Sequence, residues 1–246
     1  MELDGEPVAG AQGGLSVHKV AFPQWLTTTK RYVYSFETLE AARTALIVVD
    51  LQNFFLDPAP DGMDFAYARE IVPIVNDLAA AMRRAGGLVV FTRHTIAHSG
   101  PRAMPAWQVE ALGGAARQGP NSALTPGARG HEVHPQIVVT PDDLIVDKYR
   151  PSAFLPNSSD IDALLRERGI DTLIITGAAT NACCESSARD AQMLDYRVIF
   201  VSDATAAFND DLHNAALLNL KYLFADVVQA DVVLERLARA GNVVVG

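Results

Sequence analysis

Six short apolar runs, spaced by segments of helical period, constrain what this chain can fold into more than any other feature of its sequence. The first, "TALIVVDLQ" from Thr44, is almost continuously apolar and ends in an acid, as expected of a parallel strand covered on both faces. "FAYAREIVPIVNDLAAAMRRAGG" follows with helical spacing, two arginines near its end, and Gly86 and Gly87 as its stop. "LVVFTRH" reads as the second strand, "DLIVDK" (143–148) as the third and "DTLIITG" (171–177) as the fourth. "YRVIFVSDATAA" is the fifth strand with its exit, and a short sixth lies near Ala225 to Val228. "SSDIDALLRERG" (158–169), "NACCESSARDAQMLD", "DLHNAALLNLKYLF" and the closing "ADVVLERLARAG" read as helices. This alternation specifies a three-layer, Rossmann-like α/β fold: a mostly parallel six-stranded sheet with helices on both faces, joined by right-handed crossovers.

At 246 residues and 49% hydrophobic, the chain can bury one large core, and a single domain over residues 31–246 is the expectation. Residues 1–30 are Gly-rich and without a clear period, which suggests a loosely held arm, although "VAFPQWL" is apolar enough to dock on a neighbour. Residues 95–140 are rich in Gly, Pro and His and read as an elaborated loop over the site or at a subunit contact, with Trp107 as a lid or contact residue. A formal charge of −9, with no basic run longer than a pair, argues against nucleic acid or an anionic membrane as a partner. There is no apolar stretch of about 18 residues and no charged-then-apolar signal order at the start, so a soluble cytoplasmic protein is expected.

In such a sheet, ligands bind beyond the carboxyl ends of the strands. Those ends carry Asp50 and Gln52, Arg93 and His94, Lys148, Gly177 to Cys184, and Asp203, so an acid, an amine and a thiol converge on one edge. Cys183 and Cys184 are the only cysteines, too few for a disulfide framework; buried filler, reactive thiols and a vicinal disulfide are all open to them. The positive end of a helix and a nearby ammonium such as Lys148 would favour the thiolate. Asp50 could take the thiol proton and hand it to a leaving amine. The small side chains of "GAAT" would let a substrate carbonyl approach backbone N–H groups. Gln52, Phe55, Ser152 and Phe154 follow these residues closely enough to line a pocket. Arg93 and His94 could bind a substrate carboxylate or carbonyl, with a surface ion pair as the plainer alternative. Glu185 and Arg189, four apart on one helix, are expected to pair, and Asp203 to organise the loop after its strand.

"TALIVVDLQNFF", "KYRPSAF" and "GIDTLIITGAATNACCESSARDAQMLDYRVIFVSDATAA" together resemble the isochorismatase-like cysteine hydrolases, among them nicotinamidases, N-carbamoylsarcosine amidases, biuret hydrolases and ureidoacrylate amidohydrolases. The resemblance spans roughly residues 42 to 240. It implies a triad of Asp50, Lys148 and Cys183, the nucleophile lying three residues past Thr180. It also implies a cis peptide between Ala178 and Ala179, an oxyanion hole from the N–H groups of Ala179 and Cys183, and a homodimer or homotetramer. Cys184 stands where the family usually has an apolar residue, often valine. The implied reaction is hydrolysis of a linear C–N bond in a small amide, carbamoyl or ureido substrate through a thioester, without metal or other cofactor. Nicotinamidases of this family carry Asp-x-His after the second strand, where this chain has "RHTIAHSG" with no acid; His94 and His98 would offer two zinc ligands if helical, which is not a site. Ureidoacrylate amidohydrolases have a tyrosine at the position of Pro151 and a tryptophan near Thr95, so the pocket here differs from theirs. Nicotinamidase activity, isochorismatase-type vinyl ether hydrolysis and, outside catalysis, a vicinal-thiol redox sensor are the alternatives.

Overall fold

The computed structural model describes residues 17–28, 34–58, 65–111 and 122–242. Among them, six strands form one sheet: β1 (Thr44–Val49), β2 (Leu88–His94), β3 (Leu144–Lys148), β4 (Thr172–Ala178), β5 (Arg197–Ala206) and β6 (Asp226–Val228). Their order is β3-β2-β1-β4-β5-β6, and every adjacent pair is parallel. The α-helices are α1 (Gln24–Thr28), α2 (Asn53–Leu56), α3 (Ala66–Glu70), α4 (Val72–Arg84), α5 (Ala106–Ala111), α6 (Ile161–Glu167), α7 (Glu185–Met193), α8 (Asp210–Asn219) and α9 (Ala230–Asn242).

Every residue of β1 is buried, because the strand alternates its side chains between two helical layers. Leu46 and Val48 pack with Val75, Leu78 and Met82 of α4 and with Val233 and Leu237 of α9. Ala45, Ile47 and Val49 pack on the opposite face with Ile161 and Leu165 of α6, Ala188 and Ala191 of α7, and Leu217 of α8. Each fully buried Val, Leu or Ile contributes about 1.5–3 kcal/mol, so the two layers together fix β1 as the centre of the sheet.

The helical pattern of residues 65–87 is one run in the sequence but two helices in the fold, separated at Ile71. Pro73 in the first turn of α4 supplies the reason: it lacks an N–H and its ring clashes with the carbonyl four residues earlier. α4 ends as expected, with Gly86 at φ +82° and the Gly87 N–H donating to the Met82 carbonyl. No helix among the described residues is long and apolar enough to cross a membrane.

The segment around "VAFPQWL" packs on its own chain. His18 is buried, its ring stacked on His213 of α8 with centroids 4.1 Å apart, and its Nδ1 lies 2.8 Å from Asp210 Oδ1. Asn214 of α8 clasps the same segment, accepting from the Ala21 N–H and donating to the Lys19 carbonyl. The arm expected over residues 1–30 therefore packs down from residue 17; its earlier part lies outside the described residues.

Gly177 decides how closely β4 approaches β1. Its φ is +105°, and a Cβ built there would stand 2.2 Å from the Val49 carbonyl oxygen and 2.5 Å from the Val49 nitrogen. The register of β4 on β5 also shifts between Ile175 and Gly177. The smallness of this residue thus serves the strand contact. Gly177→Ala is expected to lower stability by about 2–3 kcal/mol, measured as a fall in the urea midpoint at unchanged slope. A midpoint equal to that of the native protein would contradict this account.

Chain connections leave β1 toward β2 and β3 on one side and toward β4, β5 and β6 on the other. Such a reversal opens a crevice beyond the carboxyl ends of β1 and β4, where ligands bind in open α/β sheets.

Candidate active site

Asp50 is the first residue beyond β1, and it adopts φ +52°, a left-handed conformation that Asp tolerates better than most side chains. The turn swings its carboxylate across the end of the sheet, where Oδ1 accepts from Thr92 Oγ1 at 2.7 Å. Lys148 ends β3, two strands from β1, a gap of about 10 Å at the usual interstrand spacing. Its four-carbon stem spans that gap, and Nζ lies 2.7 Å from Asp50 Oδ2 with both side chains wholly buried. The same ammonium donates to the Arg150 carbonyl at 3.1 Å and lies 3.3 Å from His94 Nδ1.

The thiol comes from the other side of the crevice. After the cis peptide Ala178–Ala179, residues Thr180–Cys184 wind as a π-helical turn before α7 begins. The Ala182 and Cys184 N–H groups fold back on the Ala179 carbonyl at 3.1 Å each. Within this wide turn Cys183 and Cys184 part company. Cys184 is fully buried among Ala188, Ala191 and Leu217, its Sγ 3.8 Å from the Thr176 carbonyl, whereas Cys183 is partly exposed; both thiols are free. One atom each of the Asp50 carboxylate, the His94 ring and the Cys183 thiol lie within 4.8 Å of one another.

Burial pushes the Cys183 thiol up to about 12; Lys148 pulls it down and Asp50 pushes it further up. The Lys148 ammonium favours the thiolate as the sequence implies, while desolvation and the neighbouring Asp50 oppose it. Burial opposes the charge of Lys148 too, but Asp50 and Cys183 outweigh it and hold the ammonium above its ordinary value. Burial, followed by Lys148, presses the His94 imidazole down to about 3, so that it is neutral.

The sequence matches the isochorismatase domain over residues 44–232. The chain belongs to the isochorismatase family. It is 32% identical over 210 residues to "Nicotinamidase 3" of Arabidopsis thaliana, covering 83% of this chain and 94% of that one. It is also 32% identical over 221 residues to the "Ureidoacrylate amidohydrolase RutB" of Stutzerimonas stutzeri, covering 84% and 88%. Among solved structures, a cysteine hydrolase from Pseudomonas syringae pv. phaseolicola superposes with a TM-score of 0.77 at 28% identity, covering 86% of this chain and 100% of that one.

Of the residues expected at the site of this isochorismatase-family hydrolase, Asp50, Lys148, Cys183 and His94 come together, and the others take different places. Gln52 is fully buried and spends its amide on backbone: Oε1 accepts from the His94 N–H at 2.7 Å, and Nε2 donates to the carbonyls of His94 (3.1 Å) and His131 (2.9 Å). It holds the end of β2 in place. Arg93 points away from its neighbour His94, as alternate strand residues must, and pairs with Asp147 at 2.7 Å, so the ion-pair alternative holds for it. Phe154 is core, in contact with the Tyr196 ring, and Ser152 is buried in a turn where its Oγ accepts from the Phe154 N–H at 3.1 Å. Phe55 is half-buried, packed edge-on against Phe54. Glu185 and Arg189 pair at 2.6 Å. Asp203 lies inside β5 and accepts from the Ala230 N–H at the start of α9, capping that helix rather than a loop. Trp107 sits on α5 with its surface largely exposed.

Three contributors were not foreseen. Thr92 anchors the Asp50 carboxylate, and its signal is its position two residues before His94 on the same face of β2. Thr180, the first residue of the π turn, is tied to His213 Nδ1 at 2.9 Å. Asn181 Oδ1, two residues before Cys183 in the chain, is buried with no hydrogen-bond partner among the described residues. As for a metal, among the described residues Asp50, His94 and Cys183 are the donor set that could converge on one, but Lys148 Nζ already stands 2.7 Å and 3.3 Å from two of them. A cation would have to displace an ammonium from its counter-ion. His98 does not join His94, because the chain after β2 is not helical and His98 Nε2 is bonded to Thr125 Oγ1 at 3.0 Å.

Proposed function

We propose that the protein is a metal-independent cysteine amidohydrolase that cleaves a linear C–N bond in a small amide, carbamoyl or ureido substrate through a thioester. The observation that carries the reading is the buried Asp50–Lys148 ion pair with the Cys183 thiol in reach of it. Asp50 accepts the thiol proton as sulfur attacks the substrate carbonyl, so the anion forms only when a carbon is there to receive it. The fixed ammonium of Lys148 offsets the charge that passes through sulfur. The N–H groups of Ala179 and Cys183, at the cap and inside the π turn, are offered to the developing oxyanion, a contribution of about a hundredfold or more per donor. Protonated Asp50 then returns its proton to the departing nitrogen, the C–N bond breaks, and ammonia or an amine leaves. Water adds to the thioester with Asp50 again as base, releasing the acid and restoring the thiol.

The two amidohydrolases named above support the reaction class. Ammonia release measured over a panel of small amides, ureas and carbamates, followed by rapid acid quench and peptide mass spectrometry, checks it. An acyl group on the peptide bearing Cys183 is the expected result. Turnover of an active substrate with no adduct under any quench condition would remove the thioester. The redox-sensor alternative loses ground because the Cys184 sulfur is sealed in the core.

A further inference from the structure

The tautomer of His94 follows from what surrounds its ring. A lysine ammonium has three protons and no lone pair, so each neighbour at hydrogen-bond distance must be an acceptor. The Lys148 ammonium has one nitrogen and two oxygen neighbours at such distances, the Asp50 carboxylate at 2.7 Å, the Arg150 carbonyl at 3.1 Å and His94 Nδ1 at 3.3 Å, and it also interacts with the Cys183 thiol. His94 Nδ1 therefore carries a lone pair, and a neutral imidazole with its lone pair there bears its proton on Nε2. An imidazolium would set N–H against N–H, and burial beside that ammonium opposes it as well.

Nε2–H has no partner among the described residues, the residue is partly exposed, and one of its two ring nitrogens lies within 4.8 Å of the Cys183 sulfur. We infer that His94 Nε2–H is a specificity donor for an acceptor oxygen of the substrate next to the scissile carbonyl. This rests on the hydrolase reading and narrows its substrate class to compounds with a second carbonyl or carboxylate oxygen beside the cleaved bond. Such an oxygen pairs with the donor, whereas a methylene there leaves an N–H unsatisfied as water is expelled. His94 forms no bond to the reacting carbon, so the reaction itself is unchanged.

Biuret, which has two carbonyls, and propylurea, which replaces the second by methylenes, are the probes, and their affinities are measured by calorimetry on full-length Cys183→Ala protein, which cannot turn them over. Adding His94→Leu is expected to weaken biuret about tenfold, the worth of one neutral hydrogen bond, and His94→Asn to restore it to within about threefold, with propylurea unmoved by either. In parallel, nitrogen-15 spectra of histidine-labelled native protein are expected to show His94 as the neutral Nε2–H tautomer between pH 5 and 8, a range set about the ordinary histidine value. An Nδ1–H tautomer, equal losses for both probes, or failure of biuret to bind the Cys183→Ala parent would overturn the assignment. Ammonia release with a Cys183 adduct from any amide lacking the second oxygen would still leave the hydrolase standing, so the two ideas fail separately.

Discussion

Cys183→Ala is expected to reduce ammonia release by more than about a thousandfold while leaving the fold intact, and Cys184→Ala to keep substantial activity while losing stability. The asymmetry comes from the π turn, which sends two adjacent sulfurs to different environments. Cys183 is partly exposed next to the buried ion pair, so losing it leaves no nucleophile but removes little packing. Cys184 is fully buried with α7 and α8 residues around it and acts as a small apolar side chain, whose truncation costs about 1–2 kcal/mol. Activity per folded molecule, with the fraction folded taken from urea titration of each variant, separates the two effects. If Cys184→Ala were the dead variant and Cys183→Ala the live one, the assignment of nucleophile would be reversed.

The parts of this protein that sequence discloses are those set by local pattern and by strand topology. "TALIVVDLQ" announces a central strand because a strand buried on both faces is almost wholly apolar, and the order of the runs places Asp50 and Lys148 at strand ends and Cys183 in the turn after one. Gln52 and Phe154 are a different matter. Both sit near triad residues in the chain, but the partners of Gln52 are 42 and 79 residues away, and nothing local tells a clamp on backbone from a contact with substrate. Arg93 is likewise decided by the register of β2 on β3, which sets it opposite Asp147. The electrostatics of Cys183 are half legible for a related reason: helix ends and ammonium groups are visible in sequence, whereas the desolvation that opposes them belongs to the assembled core.

The same buried ion pair leads to an expected separation of stability from activity. Lys148→Met keeps most of the stem volume but strands the Asp50 carboxylate with the Thr92 hydroxyl as its remaining side-chain donor, and it is expected to cost about 3–5 kcal/mol. Asp50→Asn is expected to cost less, because the Lys148 ammonium keeps the Arg150 carbonyl and His94 Nδ1 as acceptors. Combining the two leaves neither charge uncompensated, so the double variant should be more stable than Lys148→Met alone, with a coupling of about 1–3 kcal/mol in a double-mutant cycle. Activity should behave otherwise. All three variants lack either the proton carrier or the ammonium that supports the sulfur, and the double variant should be as inactive as the worse single one. Urea midpoints and ammonia release from the same preparations test both halves. Recovery of activity along with stability in the double variant would mean that the pair only holds the fold together, and that the proton of Cys183 leaves by another route.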